Sequence, residues 1–177
     1  MTGEVIILTG PPASGKTTVA ALLATGADTP TVNLTTDQFY RSIRTGFVLP
    51  FLPAAQRQNE VVIDAIVATV ATFARGGYDV VVDGILGPWF LAPFRALVEQ
   101  TTVSYVVLRP SLDVTLARAR ERVGDELKNV EAITGLHEAF GRLGDLEGHA
   151  LDSGDLDAEQ TAAEVRRVLA AGRHRLA

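Results

Sequence analysis

Three short runs of consecutive apolar residues, a less hydrophobic fourth stretch and a short fifth recur along the chain, and between them the apolar positions switch to helical spacing. The runs are "EVIILT" (4–9), "TPTVNLTT" around 31–35, "YDVVVDG" ending in Asp83 and Gly84, "TVSYVVL" (102–108) and "HALD" (149–152). The unbroken β-branched run of "EVIILT" predicts a central strand buried on both faces of a parallel sheet. "KTTVAALLATG" predicts a helix closed by Gly26. A longer helix is predicted over about 54–75, with Val62, Ile66, Val70 and Phe73 on one face and "RGG" stopping it. Further helices are predicted in "PWFLAPFRALVEQ" despite Pro93, in "SLDVTLARARERV" capped by Ser111, over about 129–142 and in "LDAEQTAAEVRRVLAA". Strands alternating with helices give an α/β fold of three layers, with five parallel strands and helices on both faces.

One stretch does not fit the alternation. "DQFYRSIRTGFVLPFLPAAQRQ" (37–58) starts as a short helix and breaks into Gly- and Pro-punctuated chain with aromatic residues. It is the candidate ligand-binding insertion. With no internal repeat and no linker, 177 residues form a single domain (1–177), since domains run to about 100–200 residues.

Composition narrows the chemistry. The chain has no cysteine, which excludes disulfides, thiolate metal sites and cysteine nucleophiles and fits a reducing compartment, so the cytoplasm is expected. The opening "MTGEVIILTG" lacks a basic leader and reads as a strand. "VVIDAIVATVATFA" contains Asp64 and is shorter than the ~20 residues a membrane span needs, so no membrane association is expected. A formal charge of −5 argues against nucleic acid as a partner, because backbone binding needs a basic footprint. Lys16 and Lys128 are the only lysines, so Lys16 is no random draw from a lysine-rich surface.

Lys16 lies in "GPPASGKTT" (10–18), where Gly10 to Thr17 fit G-x-x-x-x-G-K-[ST] directly after a β-branched strand and directly before a helix. A chance match to the four fixed positions in a chain this long is expected about one time in a hundred from average composition. The pattern makes a phosphate cradle: backbone N–H groups of residues 12–17 turn toward an anion, and the helix N-terminus adds its dipole. Gly10, Pro11, Pro12, Ala13, Ser14, Gly15, Lys16, Thr17 and Thr18 are therefore the candidate ATP-binding residues, with Lys16 reaching the β/γ-phosphates and Thr17 holding Mg²⁺. Such a loop needs a carboxylate near the metal, at the end of a neighbouring strand. Asp83 is that candidate, the alternative being an ordinary turn aspartate in a D-G pair.

On these residues the sequence resembles the P-loop kinases of the nucleoside-monophosphate-kinase type. Within them it is similar to the small-molecule kinases grouped around chloramphenicol phosphotransferase, shikimate kinase and gluconate kinase, with some likeness to zeta-toxin kinases. "GPPASGKTT", "TTDQFYRSIR", "VVVDG", "RARER" and "LDSGDLDAEQTAAEV" carry the likeness over nearly the whole chain. The resemblance implies strand order 2-3-1-4-5, a short lid at 118–130, ATP and Mg²⁺ as cofactors, and phosphoryl transfer to a hydroxyl of a small molecule, an antibiotic among the candidates.

It also implies roles. Asp37, just after strand 2, would deprotonate or orient the acceptor hydroxyl; the alternatives are that Asp37 caps the following helix, or that Thr36 does and Asp37 sits in its first turn. Arg41 and Arg44, three apart on one helix face, would grip the acceptor or simply be solvated. Arg118 and Arg122, four apart, would neutralise the transferred phosphoryl group from the lid, or form an ordinary solvated face. In the lid, Glu126 stands where the chloramphenicol kinases carry an arginine. Ser153, Gly154, Asp155 and Leu156 would meet the adenine through backbone groups. Phe47, Gly84 and Trp89 come from the two segments flanking the acceptor, although most of the aromatics there (Phe39, Tyr40, Phe47, Phe51, Trp89, Phe90, Phe94) are expected in the core. His137, His149 and His174 are too scattered to suggest a metal site.

Overall fold

The first strand, β1 (Val5–Thr9), sits in the middle of the sheet, and its sequence shows why: every second residue must be apolar on each side. Val5 and Ile7 enter one core, and Leu8 enters the other with Ile6 packed against it. We describe residues 2–121 and 129–177 from a computed structural model. From β1 the chain passes through the phosphate-loop sequence into α1 (Lys16–Thr25), β2 (Thr31–Thr35), the short α2 (Thr36–Arg41), α3 (Gln56–Arg75) and β3 (Asp79–Asp83). It continues through α4 (Ala92–Arg95), β4 (Val103–Leu108), α5 (Leu112–Glu121), α6 (Val130–Phe140), β5 (Ala150–Leu151) and α7 (Ala158–Ala170).

The strands are parallel in the order β2-β3-β1-β4-β5. Helix α3, α4 and the end of α6 pack on one face; α1 and α7 pack on the other. Val80, Val81 and Val82 are at most 1% exposed. Burying each such side chain is worth about 1.5–3 kcal/mol, which makes β3 a rigid mount for the residue at its end.

Three departures from the sequence reading have local causes. The "PWFLAPFRALVEQ" segment is not one helix but a 3-10 turn at Pro88–Phe90, the four-residue α4, and turns. Each piece begins with a proline in its first two positions, where a missing N–H is harmless; a continuous helix would have put Pro93 in its interior. Helix α2 ends at Arg41, so Arg44 lies beyond it and the two arginines do not share a helix face. The end of the chain also joins the sheet: Tyr105 N–H donates to His174 O (2.8 Å) and Leu176 N–H to Val103 O (2.8 Å), an antiparallel addition to β4 around Ser104 and Arg175. That addition brings together two histidines the sequence separates, with the His149 and His174 rings 5.5 Å apart. Ser111 caps α5 as expected, its hydroxyl accepting from Val114 N–H at 3.3 Å.

Candidate phosphate and acceptor site

The loop between β1 and α1 can bend as it does only because of where its glycines fall. Gly10 (φ 147°) and Gly15 (φ 88°) hold backbone angles that side chains disfavour, and Ala13 (φ 61°) joins them in the left-handed region. A Cβ on Gly10 would lie 2.2 Å from Leu108 O, whereas Gly15 faces open space with nothing within 4 Å. The loop is thus pressed onto β4 at its start and open at its end. Ala13 packs against Ala119 of α5 and Ile133 of α6, which seats the loop's middle.

The donors differ in one respect from the expectation. Pro11 and Pro12 have no N–H, and Ser14 N–H is already used by Pro11 O (3.3 Å). The N–H groups of Ala13, Gly15, Thr17 and Thr18 have no backbone acceptor among the described residues. These four converge at the α1 N-terminus, where an anion is favoured. Lys16 is buried, with Nζ donating to Pro11 O at 3.1 Å, so its ammonium curls over the loop.

Asp83, 1% exposed at the end of β3, accepts from the Thr17 hydroxyl through Oδ1 at 3.3 Å. Its Oδ2 is buried with no hydrogen-bond partner among the described residues. Burial pushes its pKa above the ordinary value, and the neighbouring Asp37 charge adds to this; Lys16 and the hydroxyls of Thr17 and Thr35 pull the other way and do not win. An orphaned carboxylate oxygen beside a hydroxyl and an open anion cradle is a donor set that fits a hard divalent cation bound together with phosphate. Thr35 escaped the sequence reading, although its position at the end of β2, paired with Asp83, was inferable from a parallel register.

The uncomplexed protein should register the cost of that buried carboxylate. Because the folded pKa lies above the unperturbed 3.8, the unfolded chain ionises first; this group's favourable contribution is complete below that value and is lost as pH rises to the folded pKa. Asp83→Asn is therefore expected to melt a few degrees higher than the wild type at pH 7 without metal, with the gain vanishing below about pH 4. Thermal melts across pH check it, and a lower melting point at pH 7 would contradict it.

Next to Asp83, Gly84 is buried under Thr36: a Cβ there would lie 2.0 Å from the Thr36 hydroxyl. This contact docks the start of α2 onto the end of β3. The N-cap of α2 is Thr35, with no side-chain cap bond, so neither Asp37 nor Thr36 is the cap. Asp37 sits in the first turn with its carboxylate exposed and without a hydrogen-bond partner among the described residues. Arg41 and Arg44 are exposed and form no ion pair among the described residues. Gln58 bonds both backbone groups of Val48 (2.9 and 2.7 Å) and Asn59 Nδ2 donates to Pro50 O (2.8 Å), so the following loop is pinned to α3. Phe47 and Phe51 stand exposed on it, as does Trp89, whose ring lies 5.6 Å from Phe140. Of the remaining aromatics, Phe94 is fully buried, while Phe39, Tyr40 and Phe90 pack partly against the core.

Arg118, expected at the phosphate, is held here by backbone carbonyls. Its guanidinium donates to Ser153 O (3.2 Å) and Gly154 O (3.5 Å), tying α5 to the loop that was expected to meet the adenine. Asp155 and Leu156 of that loop line a cleft with Gln160, Arg167 and His174. Arg122 and Glu126, with most of the 118–130 lid, lie outside the described residues.

Among the described residues no helix is long and apolar enough to cross a membrane. No curated protein matches the sequence. Solved structures do. A chain of the Pnkp1/Rnl/Hen1 RNA repair complex is 19% identical with a TM-score of 0.65, covering 84% of this chain and only 47% of that one. The tunicamycin resistance protein of Deinococcus radiodurans is 17% identical with a TM-score of 0.70, covering 99% of both chains. A gluconokinase from Sinorhizobium meliloti 1021 is 19% identical with a TM-score of 0.64, covering 98% of both. These likenesses fix the fold as that of P-loop kinases. The sequence itself matches one family, chloramphenicol phosphotransferase-like protein, over residues 3–170, and with that match the chain belongs to the chloramphenicol phosphotransferase-like family.

Proposed function

We propose that the protein is an ATP- and Mg²⁺-dependent kinase that transfers the γ-phosphoryl group to a hydroxyl of a small molecule. The observation that carries this reading is the pairing of two unlike carboxylates. Asp83 is buried, bonded to Thr17 and has one oxygen without a partner among the described residues; Asp37 is exposed and without a hydrogen-bond partner among them, in the first turn of the helix that follows the adjoining strand. A carboxylate of the first kind suits a metal, and one of the second kind suits a proton in transit. ATP, when bound, supplies the phosphoryl group and Mg²⁺ screens its charge. Thr17 and Asp83 would hold the ion, and the loop N–H groups with Lys16 would hold the phosphates. Asp37 takes the proton of the acceptor hydroxyl and keeps its oxygen in line with the phosphorus. The family description and the resistance function named for the Deinococcus protein favour a hydroxyl-bearing antibiotic as acceptor.

The test is a panel of alcohols, comprising chloramphenicol, tunicamycin, aminoglycosides, nucleosides, shikimate and gluconate, incubated with Mg²⁺-ATP and read by mass spectrometry. One product heavier by about 80 Da, the mass of a transferred phosphoryl group, is expected. Asp37→Asn should bind ATP as the wild type does and lose about a hundredfold or more in turnover. Tight ATP binding with no phosphorylated product, and no effect of Asp37→Asn on ATP turnover, would favour a nucleotide-binding module instead.

A further inference from the structure

Three tyrosines illustrate three ways of treating a phenol. Tyr105 is fully buried and donates to Leu86 O at 2.9 Å; Tyr78 is exposed at the edge of the α3–β3 turn. Tyr40 is neither. Its ring packs against the main core beside Phe39 and Ile43, yet its hydroxyl has no hydrogen-bond partner among the described residues. A tyrosine anchored in apolar surroundings ordinarily finds a partner for its polar tip, or leaves it in open water.

Its place on α2 points to where that tip is used. Tyr40 is three residues after Asp37, so the two side chains stand on the same side of the helix, one turn apart. Phe39, Ser42 and Ile43 line an apolar groove with Val61, Val62 and Ala65 of α3, and neither Asp37 nor Tyr40 is among its lining residues. Gly84 fixes the start of this helix against β3, and the core fixes the Tyr40 ring, so the geometry of the pair is set by contacts outside it.

We propose that Tyr40 is a second acceptor-binding residue, its hydroxyl donating a hydrogen bond to the same acceptor oxygen whose proton Asp37 removes. This rests on the reading of Asp37 given above. The alcohol oxygen has one proton and two lone pairs. Its proton goes to Asp37, one lone pair accepts from Tyr40, and the second is left to form the bond to the γ-phosphorus. That bond forms as the bond from phosphorus to the β,γ-bridging oxygen breaks, ADP leaves with the electron pair, and the proton ends on Asp37. Tyr40 keeps its own proton throughout. Burial, and secondarily the charge of Asp37, hold the phenol up at about 12, so it remains a donor across the range in which enzymes work.

The experiment is a double-mutant cycle in the full-length protein with chloramphenicol, or with the panel alcohol that is phosphorylated, and Mg²⁺-ATP. Tyr40→Phe keeps the ring and its packing. It is expected to lower kcat/KM for the acceptor about tenfold or more, with KM for ATP and the melting temperature unchanged. Asp37→Asn combined with Tyr40→Phe should lose less than the product of the single losses, because both groups act on one oxygen. Phe39→Leu, which loosens the same helix without removing a hydroxyl, should lower the melting temperature and leave that coupling intact. Unchanged acceptor kinetics in Tyr40→Phe, or strictly multiplicative losses, overturn the role of Tyr40 while leaving Asp37 in place. If the wild type phosphorylates no alcohol and neither variant alters ATP turnover, the Asp37 reading falls and the Tyr40 role with it.

Discussion

Lys16→Ala is expected to lower phosphoryl transfer by about a thousandfold or more, the largest loss for any single residue of the site. The reason lies in what the ammonium is already doing. It is buried, bonded to Pro11 O at 3.1 Å, and close enough to Asp83 to pull its pKa downward. Alanine removes the charge proposed to face the phosphates and the charge that offsets Asp83 at the same time. The Asp83 carboxyl should then hold its proton to higher pH, so the acid limb of the residual activity moves alkaline. Asp83→Asn added to Lys16→Ala should restore thermal stability without restoring turnover. Titration calorimetry with ATP and a pH–rate profile test both statements. Turnover within tenfold of the wild type would mean that the loop does not cradle the transferred phosphate.

Gly84→Ala should produce a loss of turnover comparable to that of Asp37→Asn together with a loss of stability, and by a different route. The added methyl would lie 2.0, 2.4 and 2.7 Å from Oγ1, Cγ2 and Cβ of Thr36, too close for a rotamer change to cure, and Thr36 is itself buried. The start of α2 must therefore lift off β3. Overpacking of this kind costs about 1–3 kcal/mol, which lowers the melting temperature by about 2–4 °C per kcal/mol in a chain of this size. Asp37 rides on the displaced turn, and a shift of about 1 Å in a positioning group costs around a hundredfold in rate. Pairing Gly84→Ala with Thr36→Gly restores the space and should recover most of the turnover. A folded Gly84→Ala protein with wild-type kcat would show that α2 is not held by this contact.

What could be foreseen from the sequence follows a physical line. The central strands β1, β3 and β4 were visible because each is apolar on both faces, whereas the order of all five was expected only from the family resemblance. Gly10 to Thr18 were visible because backbone cradles need glycines at set positions. What was hidden depends on contacts between distant segments. Nothing in "TTDQFYRSIR" says that the helix stops at Arg41, that Thr35 is the cap, or that Thr36 sits on Gly84. The prolines at 11 and 12 did say that two loop N–H groups are missing, a point legible from composition alone. The phosphate role of Arg118 was expected from the family resemblance, and its hydrogen bonds to carbonyls 35 and 36 residues away could not be foreseen from the sequence. Tyr40 stood out only once the packing of its ring was known.

The position of β1 has a bearing on how the protein comes into being. Its two neighbours arrive late, Val5 pairing with Val80 on one side and with Val103 on the other. The phosphate loop leans on Leu108, at the far end of that second partner. A chain leaving the ribosome thus carries its cradle sequence for roughly a hundred residues before the surfaces that shape it exist. Contacts this distant make for slow folding and leave the apolar "VIILT" segment in need of protection meanwhile. Nucleotide binding would then report completion of the sheet, appearing only in nascent chains long enough to have released β4.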